Sequence, residues 1–340
     1  MAVTIYDVAR KAGVGIGTVS RAMNNSPQIA PKTKEKILAA IKELKYEPHA
    51  VAQSLARKKT NMIAVIVPFF TGHFYFELLK GIQEEVTDSP YDMILYNVDQ
   101  IDKTESFLKR TLIERRVDGV LLISLQISDA YAKRFIQAQM PIVLVDSFHP
   151  ELDSIKVENE QGAFQATEYL INLGHTRIGM IDGQLRSMPA QVRLEGYQKA
   201  LKQHGLSFNE SYLVISDPSS EKDGFNREAG YQGMQELLAM GDACPTAVFA
   251  ASDIQAAGAI RAIKENGLRI PEDISIIGFD DIELSQYLDL TTIRQPMQEM
   301  GSLALHHLIE QMQSKTEAPF LKKYATELII RSSCAKPSRE

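Results

Sequence analysis

The chain has 340 residues, 44% apolar and 24% charged, with a net charge of −6, two cysteines and no tryptophan. That is enough for two or three domains with cores of their own, the composition is ordinary for a soluble globular protein, and Cys244 and Cys334 form no metal-ligand or disulfide pattern. No apolar run approaches the ~20 residues of a membrane span. The opening MAVTIYDVARKAG carries an early acid, Asp7, and no apolar signal core, so a reduced, cytoplasmic protein is expected.

The charge is unevenly placed. Residues 1–60 hold eleven Lys/Arg against four Asp/Glu, a net of +7, which leaves −13 for the remainder. A basic head on an acidic body suits a polyanionic partner. Within that head, TIYDVARK (4–11) places Ile5, Val8 and Ala9 at helical spacing, with Thr4 as N-cap and Asp7 in the capping-box position. Gly13 breaks it, and GIGTVSRAMN follows as a second short helix with Ile16, Val19 and Met23 apolar. After the turn-rich SPQIAP, a longer helix starts with Pro31 in its first turn, its stripe being Ile37, Leu38, Ile41 and Leu44. Three short helices with a glycine turn between the first two read as a helix-turn-helix.

Gly13-Val14-Gly15-Ile16-Gly17 invites a dinucleotide-binding reading, but Thr18 stands where the last glycine belongs and a helix, not a strand, precedes it. In a helix-turn-helix the second helix enters the major groove. There Thr18, Ser20 and Asn24 can bond phosphate oxygens, Arg21 can fork onto guanine, and Ile16 can meet a thymine methyl. On residue type alone, the same side chains could merely cap and solvate a small bundle.

Residues 49–59 form a linker. Beyond Asn61, apolar strand-like runs at 62–68, 92–98, 119–124, 141–146, 177–182, 212–216, 247–251 and 275–279 alternate with amphipathic segments at 74–86, 103–115, 160–173, 190–204, 228–240 and 255–266. Buried strands separated by helices imply parallel sheets covered on both faces. About ten strands exceed a comfortable open sheet, so two doubly wound subdomains with a cleft between them are expected. Ligands of such sheets sit at the carboxyl ends of the strands, which singles out Ser124, Asp146 and Asp280. An Asp in that place can also be a helix cap or turn former, the alternative reading for Asp253 and Asp281.

No GxSxG, HExxH or Cys–His set appears. His306-His307 reads as an exposed pair on helix 297–313, with no metal site, and the C-terminus has no leucine heptads, leaving a two-fold dimer as the expected assembly. A transport binding protein and a sugar enzyme on the same fold are the competing classes. The basic head and missing export signal oppose the first, the missing catalytic set the second.

IYDVARKAGVGIGTVSRAMN, the helix after it, KYEPHAVAQSLARKKT and IAVIVP closely resemble the LacI/GalR family of bacterial regulators, over essentially the full chain and most specifically in residues 4–60. The resemblance implies a helix-turn-helix DNA-binding domain (1–48), a hinge helix (49–60) and a periplasmic-binding-protein-like effector and dimerisation core (61–340). The core's subdomains would comprise about 61–160 plus 293–322 and about 161–292 plus 323–340. It makes Ile16, Gly17 and Arg21 base-facing and matches Thr4, Thr18, Ser20, Asn24 and Thr33 to DNA contacts, mostly to phosphate. Ala30 departs from the hydroxyl or β-branched residue common there. In the hinge, Leu55 matches a minor-groove wedge with Ala52 and Ala56 beside it, followed by Arg57, Lys58 and Lys59 as phosphate anchors.

For the core, the resemblance implies that Arg193 binds ligand and Phe225 stacks on it, that Phe74 and Tyr75 form an aromatic pair after the first strand, and that Ser252 and Asp253 form a polar pair in which relatives often carry Asn first. Gln295 lies near the crossover into the last helix. The implied function is a cytoplasmic, nucleoid-associated repressor. It would bind a palindromic operator as a homodimer, be controlled by a sugar-like effector, and use neither cofactor nor membrane. Some relatives employ a phosphocarrier protein as corepressor.

Overall fold

Capping chemistry sets where the N-terminal helices begin and end. The computed structural model describes residues 3–23, 27–46, 59–68, 72–98, 103–217, 223–314 and 318–338, in two units, 1–61 and 62–340. Helix α1 (Ile5–Ala12) starts at Thr4, and its Asp7 carboxylate accepts the Thr4 N–H at 3.0 Å and the Thr4 hydroxyl at 2.7 Å. Gly13, at φ +66°, ends it, with Val14 N–H closing on Ala9 O. α2 (Ile16–Met23) and α3 (Pro31–Leu44) complete the bundle. Val8, Val19, Ala22, Ile37 and Ala40 meet at its centre under Tyr46, and each larger aliphatic there contributes about 1.5–3 kcal/mol on burial. Leu38, expected in the buried stripe, is 47% exposed. It lies 100° around the helix from Ile37, and the inward place one turn on belongs to Ala40.

The second unit alternates strand and helix. The first run is β1 (Met62–Val67), α4 (His73–Thr87), β2 (Asp92–Asn97), α5 (Thr104–Glu114), β3 (Gly119–Ile123), α6 (Asp129–Ala138), β4 (Ile142–Val145) and β5 (Asp153–Val157). The chain then builds α7 (Asn159–Asn172), β6 (Ile178–Asp182), α8 (Met188–Gln203), β7 (Leu213–Ile215), α9 (Arg227–Leu238), β8 (Ala247–Ala250), α10 (Asp253–Glu265), β9 (Ser275–Asp280), α11 (Glu283–Tyr287) and β10 (Thr291–Arg294). It returns through α12 (Met297–Gln313) and β11 (Leu321–Tyr324), then crosses once more to β12 (Glu327–Ile329).

Two six-stranded sheets result, in the orders β11-β5-β4-β3-β1-β2 and β12-β10-β9-β8-β6-β7, parallel except for the β10–β12 pair. Alternate residues of each strand enter opposite layers. Val65, Leu121 and Val143 pack under α4 and α12, while Ile66, Leu122 and Leu144 pack under α5 and α6. The second sheet is covered by α7 and α8 on one face and by α9 and α10 on the other. Both faces are thus dry, which is why the strands read as unbroken apolar runs.

Three helix pairs approach backbone to backbone through glycine. A Cβ on Gly81 of α4 would stand 1.9 Å from Gln298 O of α12, and one on Gly301 would stand 2.1 Å from Leu78 O. Gly230 and Gly258 join α9 to α10 in the same way, and Gly196 brings α8 against Glu160 O of α7.

Three further features differ from the sequence-based expectation. β10 stays in the second sheet through Arg294, paired with Asp280, and β11 holds Lys323 and Tyr324 in the first. The return crossings therefore fall two residues later than expected. Strands β5, β10, β11 and β12 and helices α6 and α11 did not stand out in the sequence, β5 because its DSIKV carries an acid and a lysine. Lastly, only His306 of the histidine pair is exposed. His307 is buried, with Nε2 on Asp153 Oδ2 at 2.5 Å and its ring 4.3 Å from that of Phe320. Asp153 also accepts the Phe320 N–H at 2.8 Å, so this buried polar group is satisfied and ties α12 to β5. No helix among the described residues is long and apolar enough to cross a membrane.

Candidate functional site

In the N-terminal unit, Ile16, Gly17 and Arg21 lie exposed on α2, with Thr18 and Ser20 half-buried beside them and Thr33 half-buried in the first turn of α3. The Arg21 Nε donates to Gly17 O at 3.1 Å. The Thr4 hydroxyl is engaged by Asp7, a bond that also holds the Asp7 carboxyl below its ordinary pKa. Ala30 offers no side-chain cap to α3, and Thr33 N–H closes on Ala30 O instead. Asn24, Ala52, Leu55, Ala56, Arg57 and Lys58 lie outside the described residues; Lys59 is exposed.

In the second unit a cavity of about 840 Å³ opens at the carboxyl ends of the strands. Phe74, Tyr75, Ser124, Asp146, Arg193, Phe225, Ser252 and Asp280 all line it. Three of them sit at the ends of β3, β4 and β9 with positive φ: Ser124 at 51°, Asp146 at 53° and Asp280 at 121°. Such backbone costs on the order of 1–3 kcal/mol per residue and tends to cluster at ligand sites. Here it turns the side chains out of the sheet plane into the opening. Gln295 does not reach the wall. It stands behind Asp280, donating to Oδ1 at 2.6 Å, and its Oε1 has no partner among the described residues.

Arg193 organises the floor. It is 4% exposed, and its Nε donates to Asn159 Oδ1 at 2.9 Å and its Nη1 to Ala251 O at 2.5 Å, with Asp280 Oδ1 3.8 Å away. Its guanidinium lies 3.8 Å above the Phe279 ring centroid and 5.5 Å from that of Phe225. Asp146 accepts the Ser124 hydroxyl at 2.8 Å, and burial raises its pKa against the lowering effects of that bond and of Arg193. Burial also pushes Asp280 up to about 7 against the pull of Arg193 and Gln295, and Asp182, at the end of β6, up to about 8. Half-buried Asp223 is raised for the same reason. Four carboxylates thus face one guanidinium. The arrangement presents acceptors, a charged fork and apolar ring faces.

At the rim, His73 and Arg227 stand at the N-termini of α4 and α9; burial lowers the His73 pKa and Arg227 lowers it further. Sequence reasoning passed over His73, Asn159, Asp182, Asp223 and Arg227. Asp182 carried the same strand-end signal as Asp146, whereas Asn159 follows the unrecognised β5. Two acids are structural, as the alternative reading allowed. Asp253 accepts Ile282 N–H at 3.0 Å and the Ser285 and Thr292 hydroxyls at 2.5 Å, and Asp281 is bonded to Arg294 at 2.8 Å and Arg331 at 2.7 Å. Ser252 combines two roles, lining the cavity and capping α10 through Gln255 N–H at 3.2 Å.

Known proteins agree with both halves of this picture. Residues 4–49 match the family described as bacterial regulatory proteins, lacI family, and residues 167–334 match the periplasmic binding protein-like domain. The chain is 36% identical over 321 residues to catabolite control protein A of Priestia megaterium, covering 93% of this chain and 94% of that one. Among solved structures, the lac repressor dimer bound to operator and the anti-inducer ONPF is 30% identical, with a TM-score of 0.82 and coverage of 98% and 100%. A LacI family regulator from Enterococcus faecium with bound ribose is 29% identical, with a TM-score of 0.70 and coverage of 81% and 99%. The chain therefore belongs to the LacI family and is a DNA-binding transcriptional regulator rather than an enzyme.

Proposed function

We propose that the cavity binds a polyhydroxylated small molecule, a sugar or sugar derivative, and that its occupancy sets the affinity of a homodimer for a palindromic operator. The observation that carries this reading is the buried Arg193 fork 3.8 Å from Asp280 and within electrostatic reach of Asp146, with the Phe225 ring centroid 5.5 Å away. Carboxylates accept sugar hydroxyls, the guanidinium donates to them, and aromatic rings cover the apolar face of a pyranose or furanose. The ribose in the Enterococcus faecium regulator and the operator-bound dimer of the lac repressor support both parts by analogy. Ile16, Gly17 and Arg21 read bases, the hydroxyls of α2 and α3 hold phosphates, and Leu55 wedges at the dyad. The protein works in the cytoplasm on the nucleoid and needs no cofactor.

The test uses the full chain and an operator obtained by selection from random DNA. Operator affinity is measured with pentoses, hexoses and disaccharides, and separately with a phosphorylated carrier protein. A sugar that acts through the cavity shifts operator affinity about 5–150-fold, and operator shifts sugar affinity by the same factor. If no sugar moves operator affinity but the phosphorylated carrier does, the small-molecule reading falls and the protein corepressor takes its place.

A further inference from the structure

Of the charged groups that line the cavity, two have no partner inside the protein. Asp146, Asp223 and Asp280 feel Arg193, Asp223 also feels Arg186, and Glu228 accepts from Gln232 Nε2 at 2.7 Å. His73 and Arg227 remain. Neither side chain has a hydrogen bond or an ion pair among the described residues. Exposed cations without a partner are ordinary on a surface, but these two are not scattered.

They face each other across the mouth. His73 opens α4, which packs on the first sheet, and Arg227 opens α9, which packs on the second. They stand close enough for the Arg227 charge to press the His73 pKa down, in the same direction as burial. Glu77, one turn along α4, opposes this more weakly, and its carboxylate is already bonded to Lys80 and to Gln298, each at 2.8 Å. Two like charges brought together disfavour one another, and an anion placed between them reverses the sign.

The depth of the cavity separates this place from the floor. Below, Asp146, Asp223 and Asp280 raise one another's charge cost around the single Arg193, so the floor accepts hydroxyls and repels an anion. The volume of about 840 Å³ leaves room for a ring on the floor with a substituent that reaches the mouth.

We propose that the effector is a sugar with a terminal anionic group, a phosphate ester or a carboxylate, seated at the mouth between His73 and Arg227 while the ring hydroxyls meet the floor. This deepens the small-molecule reading above and rests on it. The anion ties the two sheets together at the mouth, because its two cations come from helices on different sheets.

The experiment measures binding to the full-length protein by calorimetry for pentoses and hexoses, each as the free sugar, as its terminal phosphate and as its terminal carboxylic acid. Wild type should bind an anionic form at least about tenfold more tightly than the neutral parent, the order expected of one hydrogen bond to a charged group. In His73→Gln and in Arg227→Gln, both at exposed positions, that preference should fall severalfold, and Arg227→Lys should retain part of it because the charge stays. The form that binds more tightly, phosphate or carboxylic acid, identifies the source of the anion. A neutral sugar that binds as tightly as both its anionic forms overturns the inference and leaves the sugar reading standing. A preference that survives intact in both glutamine variants also overturns it, since the anion is then held elsewhere. If no sugar binds in any form, the small-molecule reading itself falls, an outcome distinguishable from the other two.

Discussion

Replacing Arg193 by Met keeps the length and apolar stem of the side chain and removes the charge. The variant loses donation to Asn159 Oδ1 and Ala251 O and leaves Asp280 without its cation. Removing one partner of a buried pair costs about 3–5 kcal/mol, and that cost should depend on pH in a defined direction. In the wild type, burial raises Asp280 from 3.8 to about 7, so across that window the folded chain holds a proton that the unfolded chain has released. Stability therefore declines as pH rises through the window. Arg193 is the largest influence opposing this rise, so its removal extends the window upward, and each further unit costs up to about 1.36 kcal/mol. At about pH 5.5 the Asp280 carboxyl is largely protonated in the folded variant, and the deficit shrinks to that of the two orphaned acceptors, about 1–3 kcal/mol. Urea unfolding of both proteins at about pH 5.5 and pH 8.5 measures the difference. An equal deficit at the two pH values would refute the idea that the guanidinium acts chiefly by compensating buried carboxylates.

On the DNA side, Arg21→Ala should cost about 1–3 kcal/mol on the selected operator and relax one base preference per half-site, read by competition binding. Neutralising Arg57, Lys58 and Lys59 should flatten the plot of log affinity against log salt by about one unit per lost phosphate contact, and an unchanged slope removes the cluster from the interface. Leu55→Ala should reduce operator bending and affinity while leaving the effector response intact, which bend-angle measurement on circularly permuted fragments checks.

The parts of this molecule that were legible in advance follow from short-range rules. Capping at Thr4, the break at Gly13 and Pro31 in the first turn of α3 are local chemistry. Strands such as MIAVIV and GVLLI are unmistakable because both sheet faces are dry. Ser124, Asp146 and Asp280 could be singled out because α/β sheets expose the carboxyl ends of their strands. Arg193 and Phe225 have no such signal. They come from different helices and loops and meet only through the tertiary fold, so family resemblance alone pointed to them. The buried His307–Asp153 pair was misread because a polar residue on a helix looks solvated until its partner, 154 positions away, is known. β5 was missed for the same reason, since the acid that makes it look like a turn is satisfied from α12 and the following loop.

The glycine contacts between helices carry a mechanical consequence. α4 against α12, α7 against α8 and α9 against α10 touch backbone to backbone, without long side chains that could slide or change rotamer. Each sheet with its clamped helices is thereby a stiff plate, and deformation between the plates is left to three short crossings: Glu158, Gln295–Pro296 and Ala325–Thr326. Substitutions within the plates should then alter how firmly the core is folded, and substitutions in the crossings should alter how the two sheets are held relative to each other. Two of those crossings abut the floor: Glu158 precedes Asn159, which accepts from Arg193, and Gln295 itself bonds Asp280. A ligand that pulls on Arg193 and Asp280 therefore pulls directly on two of the three crossings.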